Sequence, residues 1–180
     1  MRAVFVRDAR WQALLDPEAG LWRSIPAEVI ALAGAPSALQ PTAAVRAAFP
    51  EGSIGAIKSV SLAAAHNGSD IAFRLQWEDA SADTGADGQD DTGFPDAAAV
   101  LFPTRATAPL MSMGAPGLPV NAWYWRADEP GRGRHVSAEG LGTTETVDRD
   151  LVRVKGQHRD GAWHVVIARA LRATASRPVA

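Results

Sequence analysis

One hundred and eighty residues amount to about one domain of chain, and 47% hydrophobic with 21% charged residues is the composition of a folded globular protein. A net charge of −2 gives no electrostatic footprint for nucleic acid or an anionic membrane. The chain has no cysteine. This excludes disulfides, cysteine-ligated zinc or iron–sulfur clusters, a cysteine nucleophile and covalently attached c-type haem within these residues. No stretch approaches the roughly 20 apolar residues of a membrane-spanning helix.

The N-terminal run Met1–Arg10 lacks a long apolar segment followed by a small-residue cleavage site, so no secretory signal peptide is read there. The expectation is a chain that stays in the cytoplasm, has lost its leader, or travels with a partner. A strand is expected over Ala3–Val6 and a short helix over Trp11–Leu15. Further strands are expected over Val29–Leu32 and Ile54–Ala65, with one or two helical turns over Ala43–Phe49, opened by Pro41-Thr42. Ile71, Phe73, Leu75 and Trp77 then alternate with Ala72, Arg74, Gln76 and Glu78, the period of a strand with one buried face. His66-Asn67-Gly68-Ser69-Asp70 supplies the hairpin turn before it.

Glu78–Asp91 breaks the pattern, with Asp79, Asp83, Asp87, Asp90 and Asp91 among Gly, Ser, Thr and Ala. The spacing is not that of an EF-hand and the closing bidentate Glu is missing, so a solvated, mobile loop over about residues 79–93 is expected rather than a calcium site. Strands follow over Ala97–Phe102 and Val120–Trp125. Residues 127–148, rich in Gly, Arg, Glu and Thr, read as a second extended, mobile loop. A strand over Leu151–Gly156 comes next, then the turn His158-Arg159-Asp160-Gly161. In the closing strand Trp163, Val165, Ile167 and the stem of Arg169 alternate with His164, Val166 and Ala168. About eight strands with Gly/Pro-rich connections and no internal repeat predict a single all-β, antiparallel β-sandwich domain over 1–180, with a few short helical turns.

No catalytic constellation accompanies this pattern. His66, His135, His158 and His164 show no metal-ligand spacing, and there is no nucleophile elbow, phosphate loop or dinucleotide fingerprint. His164 reads as a sheet-face residue and His66 as part of a turn cap. Pro109–Trp125 is the most unusual local sequence, because it places Met111 and Met113 in a Gly/Pro-rich loop. On residue type alone a gap-filling methionine and a soft ligand for iron both remain open.

Four blocks together resemble a known group. They are Ser61–Trp77, Phe94–Pro103, Met113–Trp125 and Asp160–Leu171. In this order they resemble the haem-b-binding gamma subunits of the ethylbenzene dehydrogenase, dimethylsulfide dehydrogenase and chlorate reductase group, the type II complexes of the dimethylsulfoxide reductase family. The likeness runs from about Asp16 to Leu171.

The resemblance implies a β-sandwich like the cytochrome domain of cellobiose dehydrogenase, holding one non-covalent haem b between a Met and a Lys. Carried onto this chain, the ligands are Met113, with Met111 as the alternative, and Lys155, with Lys58 as the alternative. If Val152 and Val154 face the core, Lys155 points away from it. A lysine ligand must be the neutral amine, although its ordinary pKa is ~10.4, so the site has to be dry. With both axial positions taken, the iron has no open position for substrate, which implies electron transfer and not catalysis by this chain. Trp123, Tyr124 and Trp125 line the haem or pack in the core, with Trp123 and Trp125 on one face.

The implied partners are an iron–sulfur beta subunit and a molybdenum alpha subunit in a heterotrimer, with a soluble cytochrome c or similar carrier outside it. The implied location is the periplasm. The alternative, from a different class, is a haem-free sandwich module binding carbohydrate or another small ligand on exposed aromatics.

Overall fold

The computed structural model describes residues 1–35, 54–85 and 94–172, with the isolated Ala43 and Ala47. Those two alanines aside, the turns expected over Ala43–Phe49 lie outside the described residues, as do Asp87, Asp90 and Asp91 of the acidic segment. Among the described residues no helix is long and apolar enough to cross a membrane.

Two sheets face each other. The first contains β1 (Val4–Phe5), β2 (Ala27–Ala31), β3 (Ser59–His66), β4 (Asp70–Glu78), β9 (Arg153–Arg159) and β10 (Ala162–Ala170), in the order β1-β3-β4-β10-β9 with β2 also on β3. The second contains β5 (Ala97–Pro103), β6 (Val120–Arg126), β7 (Arg134–Ala138) and β8 (Glu145–Asp148), in that order. All pairings are antiparallel except β1 with β3. The expected all-β sandwich is therefore what forms.

The period-2 alternation of β10 decides where the core lies. Trp163, Val165 and Ile167 join Phe73, Leu75, Trp77, Trp123 and Trp125 between the sheets. Val166 and Ala168 point the other way, onto Leu14, Trp22 and Ile25. β10 is thus buried on both faces, because α1 (Trp11–Leu15) and a 3₁₀ helix (Gly20–Ser24) cover the outer side. Ala, Leu and Gln favour the short α1. Asp16 ends it at φ −84°, ψ 111°, the extended conformation a following proline imposes.

Glycine makes the inter-sheet fit at one position. A Cβ on Gly156 would lie 2.6 Å from Cε2 of Trp125, so only hydrogen lets the indole come this close to β9.

Three elements differ from the sequence expectations. Residues 127–148 contribute β7 and β8 in place of an extended loop; the alternation that would announce them is broken by a register shift at His135/Val136 and by the exposure of Glu145, Thr146 and Val147. The strand expected from Leu151 begins at Arg153, because the Asp148 carboxylate accepts hydrogen bonds from the Asp150 and Leu151 amides (2.7 and 3.0 Å) and holds them in a turn. The strand expected from Ile54 begins at Ser59, after a turn with Gly55 at φ +81°.

Asp96 ties the sheets together at the head of β5. Its Oδ2 accepts hydrogen bonds from Trp163 Nε1 and from the Asp83 amide, both at 2.8 Å. Burial pushes this carboxyl above the ordinary aspartate range, against the pull of those two donors. Its stabilising share is therefore complete below the unfolded pKa of ~3.9 and is lost as pH rises through the folded value. Asp96→Asn keeps an oxygen acceptor for both donors. It is expected to melt near wild type at pH 3 and above wild type at pH 7, read by thermal unfolding across pH.

Candidate functional site

Strand register gathers one end of the sandwich. Ile71 pairs with Arg169 and with His66, while Val120 pairs with Pro103 and Ala138. Phe73 joins the two sets, with ring centroids 5.8 Å from Trp123 and 5.9 Å from Phe102. This end therefore carries the methionine loop from the second sheet and Arg169 from the first.

The loop between β5 and β6 is held backbone to backbone. Met113 N–H donates to Leu110 O (3.0 Å), Gly114 N–H to Pro109 O (2.8 Å) and Gly140 N–H to Met113 O (2.9 Å). Met113 sits at φ +55°, a left-handed conformation uncommon for a residue other than glycine and one that clusters at functional sites. Its side chain packs on Ala108, Val120 and Ala138. These lie on the outward face of the second sheet: Leu101, in the same cluster, alternates with the inward Val100 and Phe102. Met111, in contrast, is 86% exposed. Of the two methionines, only Met113 is presented by a fixed backbone with its thioether partly shielded.

The lysines lie elsewhere. Lys155 stands on β9 between the inward Val154 and Gly156 and points out of the first sheet, as its alternation predicts. Its Nζ is 2.8 Å from Asp16 Oδ1, with both side chains about half exposed. The lysine's hydrogen bond holds the Asp16 carboxyl below the ordinary range, against the opposing effect of burial. An exposed pair of this kind contributes at most about 1 kcal/mol, and it turns the Lys155 amine toward Asp16.

Met113 is on the outward face of one sheet and Lys155 on the outward face of the other. Packed sheets are already about 10 Å apart, whereas axial ligands must both reach one iron. Lys58 precedes β3 and donates to Gly55 O (2.6 Å), at the end of that strand opposite His66. The structure brings neither lysine to Met113.

Arg169 is the polar feature of this end that sequence reasoning passed over. It is 2% exposed, with Cζ 5.1 Å from the Trp123 centroid. Its Nε donates to Ala170 O (3.3 Å), and its Nη2 is buried without a hydrogen-bond partner among the described residues. Burial alone lowers its pKa. The signal was in the alternation: an arginine in phase with Trp163, Val165 and Ile167 has to face the core.

The histidines do not gather. His164 lies outside the first sheet, its Nδ1 3.1 Å from Arg74 Nη2 and 3.4 Å from Glu18 Oε1, and burial lowers its pKa. His158 Nε2 is 2.8 Å from Asp79 O. His66 is the last residue of β3, and the turn is capped by Asn67, whose Oδ1 accepts from the Ser69 and Asp70 amides. Among the described residues no three His, Asp or Glu side chains group to hold a metal ion. A cavity of about 250 Å³ near the other end, lined by Leu32, Ile57, Val60, Leu75, Trp77 and Ala97–Ala99, is below the ~300–1,000 Å³ of typical ligand sites and has no ionisable lining group.

The donor set can thus offer iron a soft thioether on a rigid loop. Met113 could hold a haem iron from that loop; Lys155 stands on the outward face of the other sheet, paired with Asp16.

Comparison with known proteins bears on the same residues. A protein of Haloferax mediterranei named as a respiratory nitrate reductase heme subunit is 36% identical over 161 residues, which is 89% of this chain and 53% of that one. The chlorate reductase subunit gamma of Ideonella dechloratans is 32% identical over 166 residues, 89% of this chain and 62% of that one. The chain therefore spans only part of the length of both relatives. The model of the family described as ethylbenzene dehydrogenase matches residues 19–151, from the 3₁₀ helix through the methionine loop to the approach to β9. The chain belongs to the ethylbenzene dehydrogenase family.

Proposed function

We propose that this chain is a non-catalytic, haem-binding electron-transfer subunit of a molybdenum oxidoreductase complex. The observation that carries the reading is the likeness, over 89% of the chain, to a protein named as a heme subunit, supported by the likeness to a reductase subunit gamma. When bound, haem supplies one-electron redox chemistry. The chain's part is to hold it, exclude water and set its surroundings. With no cysteine in the chain, the haem is proposed to be b-type, one per chain and non-covalent. It would pass electrons between an iron–sulfur beta subunit, next to a molybdenum alpha subunit in a heterotrimer, and an external carrier such as a cytochrome c, in the periplasm.

Met113 is proposed as one axial ligand, because its loop fixes the backbone and leaves the thioether as the adjustable part. A thioether ligand favours the ferrous state and raises the reduction potential. Lys155 enters this proposal only through the family resemblance, and its ion pair with Asp16 on the far face opposes it. The haem-free alternative called for exposed aromatics: Trp22, Trp77, Trp123, Trp125 and Trp163 are buried, and Phe5 and Phe94 are the large exposed rings among the described residues.

Absorption spectra of the haem-reconstituted chain and its variants test the reading. The wild type is expected to show a Soret band and a low-spin spectrum that responds to dithionite; no Soret band would remove the proposal. Met113→Ala is expected to lose the low-spin form, while Met111→Ala and Lys155→Met keep it. Loss of that form in Lys155→Met would reinstate Lys155 as a ligand and require the free and loaded chains to differ in fold.

A further inference from the structure

We infer that Arg169 is a carboxylate anchor at the methionine end of the sandwich, and that the carboxylate it takes is a propionate of the haem. The inference rests on the haem reading above.

An uncompensated buried charge costs several kcal/mol, and the chain compensates its other shielded arginines. Arg74 donates to Pro17 O and Gln76 Oε1, and Arg134 is paired with Glu129. Arg169 is more deeply buried than either, yet among the described residues it has no carboxylate within ion-pair distance and only one long hydrogen bond, to the neighbouring carbonyl. The guanidinium is a planar fork of five donors suited to bidentate capture of a carboxylate. Its Cζ lies over the Trp123 ring, which is packed in turn on Phe102 at 4.6 Å, so the guanidinium already has an aromatic floor. A buried cation with no counter-charge among the described residues, its Nη2 without an acceptor, is a half-finished ion pair.

Its position names the class of the missing half. The guanidinium and the Met113 loop occupy the same end of the sandwich, one from each sheet. Met113 lies on the outward face of the second sheet and Arg169 on the inward side, so a ligand serving both would round the end of that sheet and would need a metal, an apolar body and a carboxylate on an arm away from the metal. A non-covalent iron porphyrin has all of these, and lacking thioether bonds to the protein it depends on its axial and carboxylate contacts.

The test is a binding titration of haem and of its dimethyl ester, whose propionates are uncharged, into wild type, Arg169→Met and Arg169→Lys. The wild type is expected to bind haem at least about tenfold more tightly than the ester, as a buried charge-assisted pair should. Arg169→Met should lose that preference by weakening haem binding and leaving ester binding unchanged, and Arg169→Lys should recover part of it. Unliganded Arg169→Met should melt no lower than wild type, since an unpaired buried charge is removed. Equal loss of haem and ester, no loss of either, or a clearly lower melting temperature of the unliganded variant would overturn the anchor and leave the haem reading standing. A wild type that takes up neither compound would overturn both.

Discussion

Trp125→Ala is expected to lower the unfolding free energy by about 3–5 kcal/mol, the range for deleting a fully buried large aromatic. Trp125 is 1% exposed, the least exposed of the tryptophans between the sheets. Its ring stands 4.8 Å from Trp163 and 6.1 Å from Trp77, so the substitution removes one member of the stack that joins β6 to β4 and β10. β9 approaches it through Gly156, where any side chain would enter the indole. Gly156→Val should cost about 1–3 kcal/mol by overpacking. The double variant should cost clearly less than the sum, because the valine fills part of the cavity the indole leaves. Urea unfolding of the three variants checks this; additive costs would mean that the two positions do not share space.

Gly114→Ala is the second large effect. Gly114 sits at φ +93°, and a Cβ there would lie 2.5 Å from Ala138 O and 2.9 Å from Leu118 O. Both obstacles are backbone, so neither can rotate away, and a cost of about 3 kcal/mol is expected from the left-handed conformation and the overlap together. Gly117 is the matched control: its φ is +73° but nothing lies within 4 Å of its Cβ, so Gly117→Ala should cost only about 1–2 kcal/mol. The comparison reaches the site as well. Moving Gly114 moves Met113, so in the haem-reconstituted chain Gly114→Ala should lose the low-spin spectrum as Met113→Ala does, and Gly117→Ala should keep it. Equal melting temperatures for the two glycine variants would show that the loop yields to the added methyl.

Much of the framework was legible because its signals are local. Alternation marks β4, β5, β6 and β10 to within a residue or so at each end, and Asp160-Gly161, at φ +53° and +73°, is the left-handed pair that closes a two-residue hairpin. α1 occupies the residues expected of it. β7 and β8 were not legible, because a register shift at His135/Val136 breaks the alternation of the mostly buried β7, and β8, exposed over its first three residues, has no reason to alternate apolar with polar residues. The 3₁₀ helix at Gly20–Ser24 is too short for periodicity to show, and Trp22 earns its burial only by landing on β10.

At the candidate site the division is sharper. The sequence by itself determined that no cysteine can tether a haem, that a Gly/Pro-rich loop offers two methionines, and that two lysines exist. It also determined, through the parity of β9 and β10, that Lys155 faces out and Arg169 faces in. Only the tertiary structure decided which methionine is held, because backbone hydrogen bonds donated by Gly114 to Pro109 and by Gly140 to Met113 fix Met113, while Met111 is left in solvent. Only it could show that Lys155 meets Asp16, a partner 139 positions away, on the sheet face opposite the methionine loop. Period-2 patterning says which side of its own sheet a residue takes, but the stacking of two sheets and the covering of one by an N-terminal helix are long-range choices. Those choices separate Lys155 from Met113 and bring Arg169 to the same end as the methionine loop, buried and without a counter-charge among the described residues.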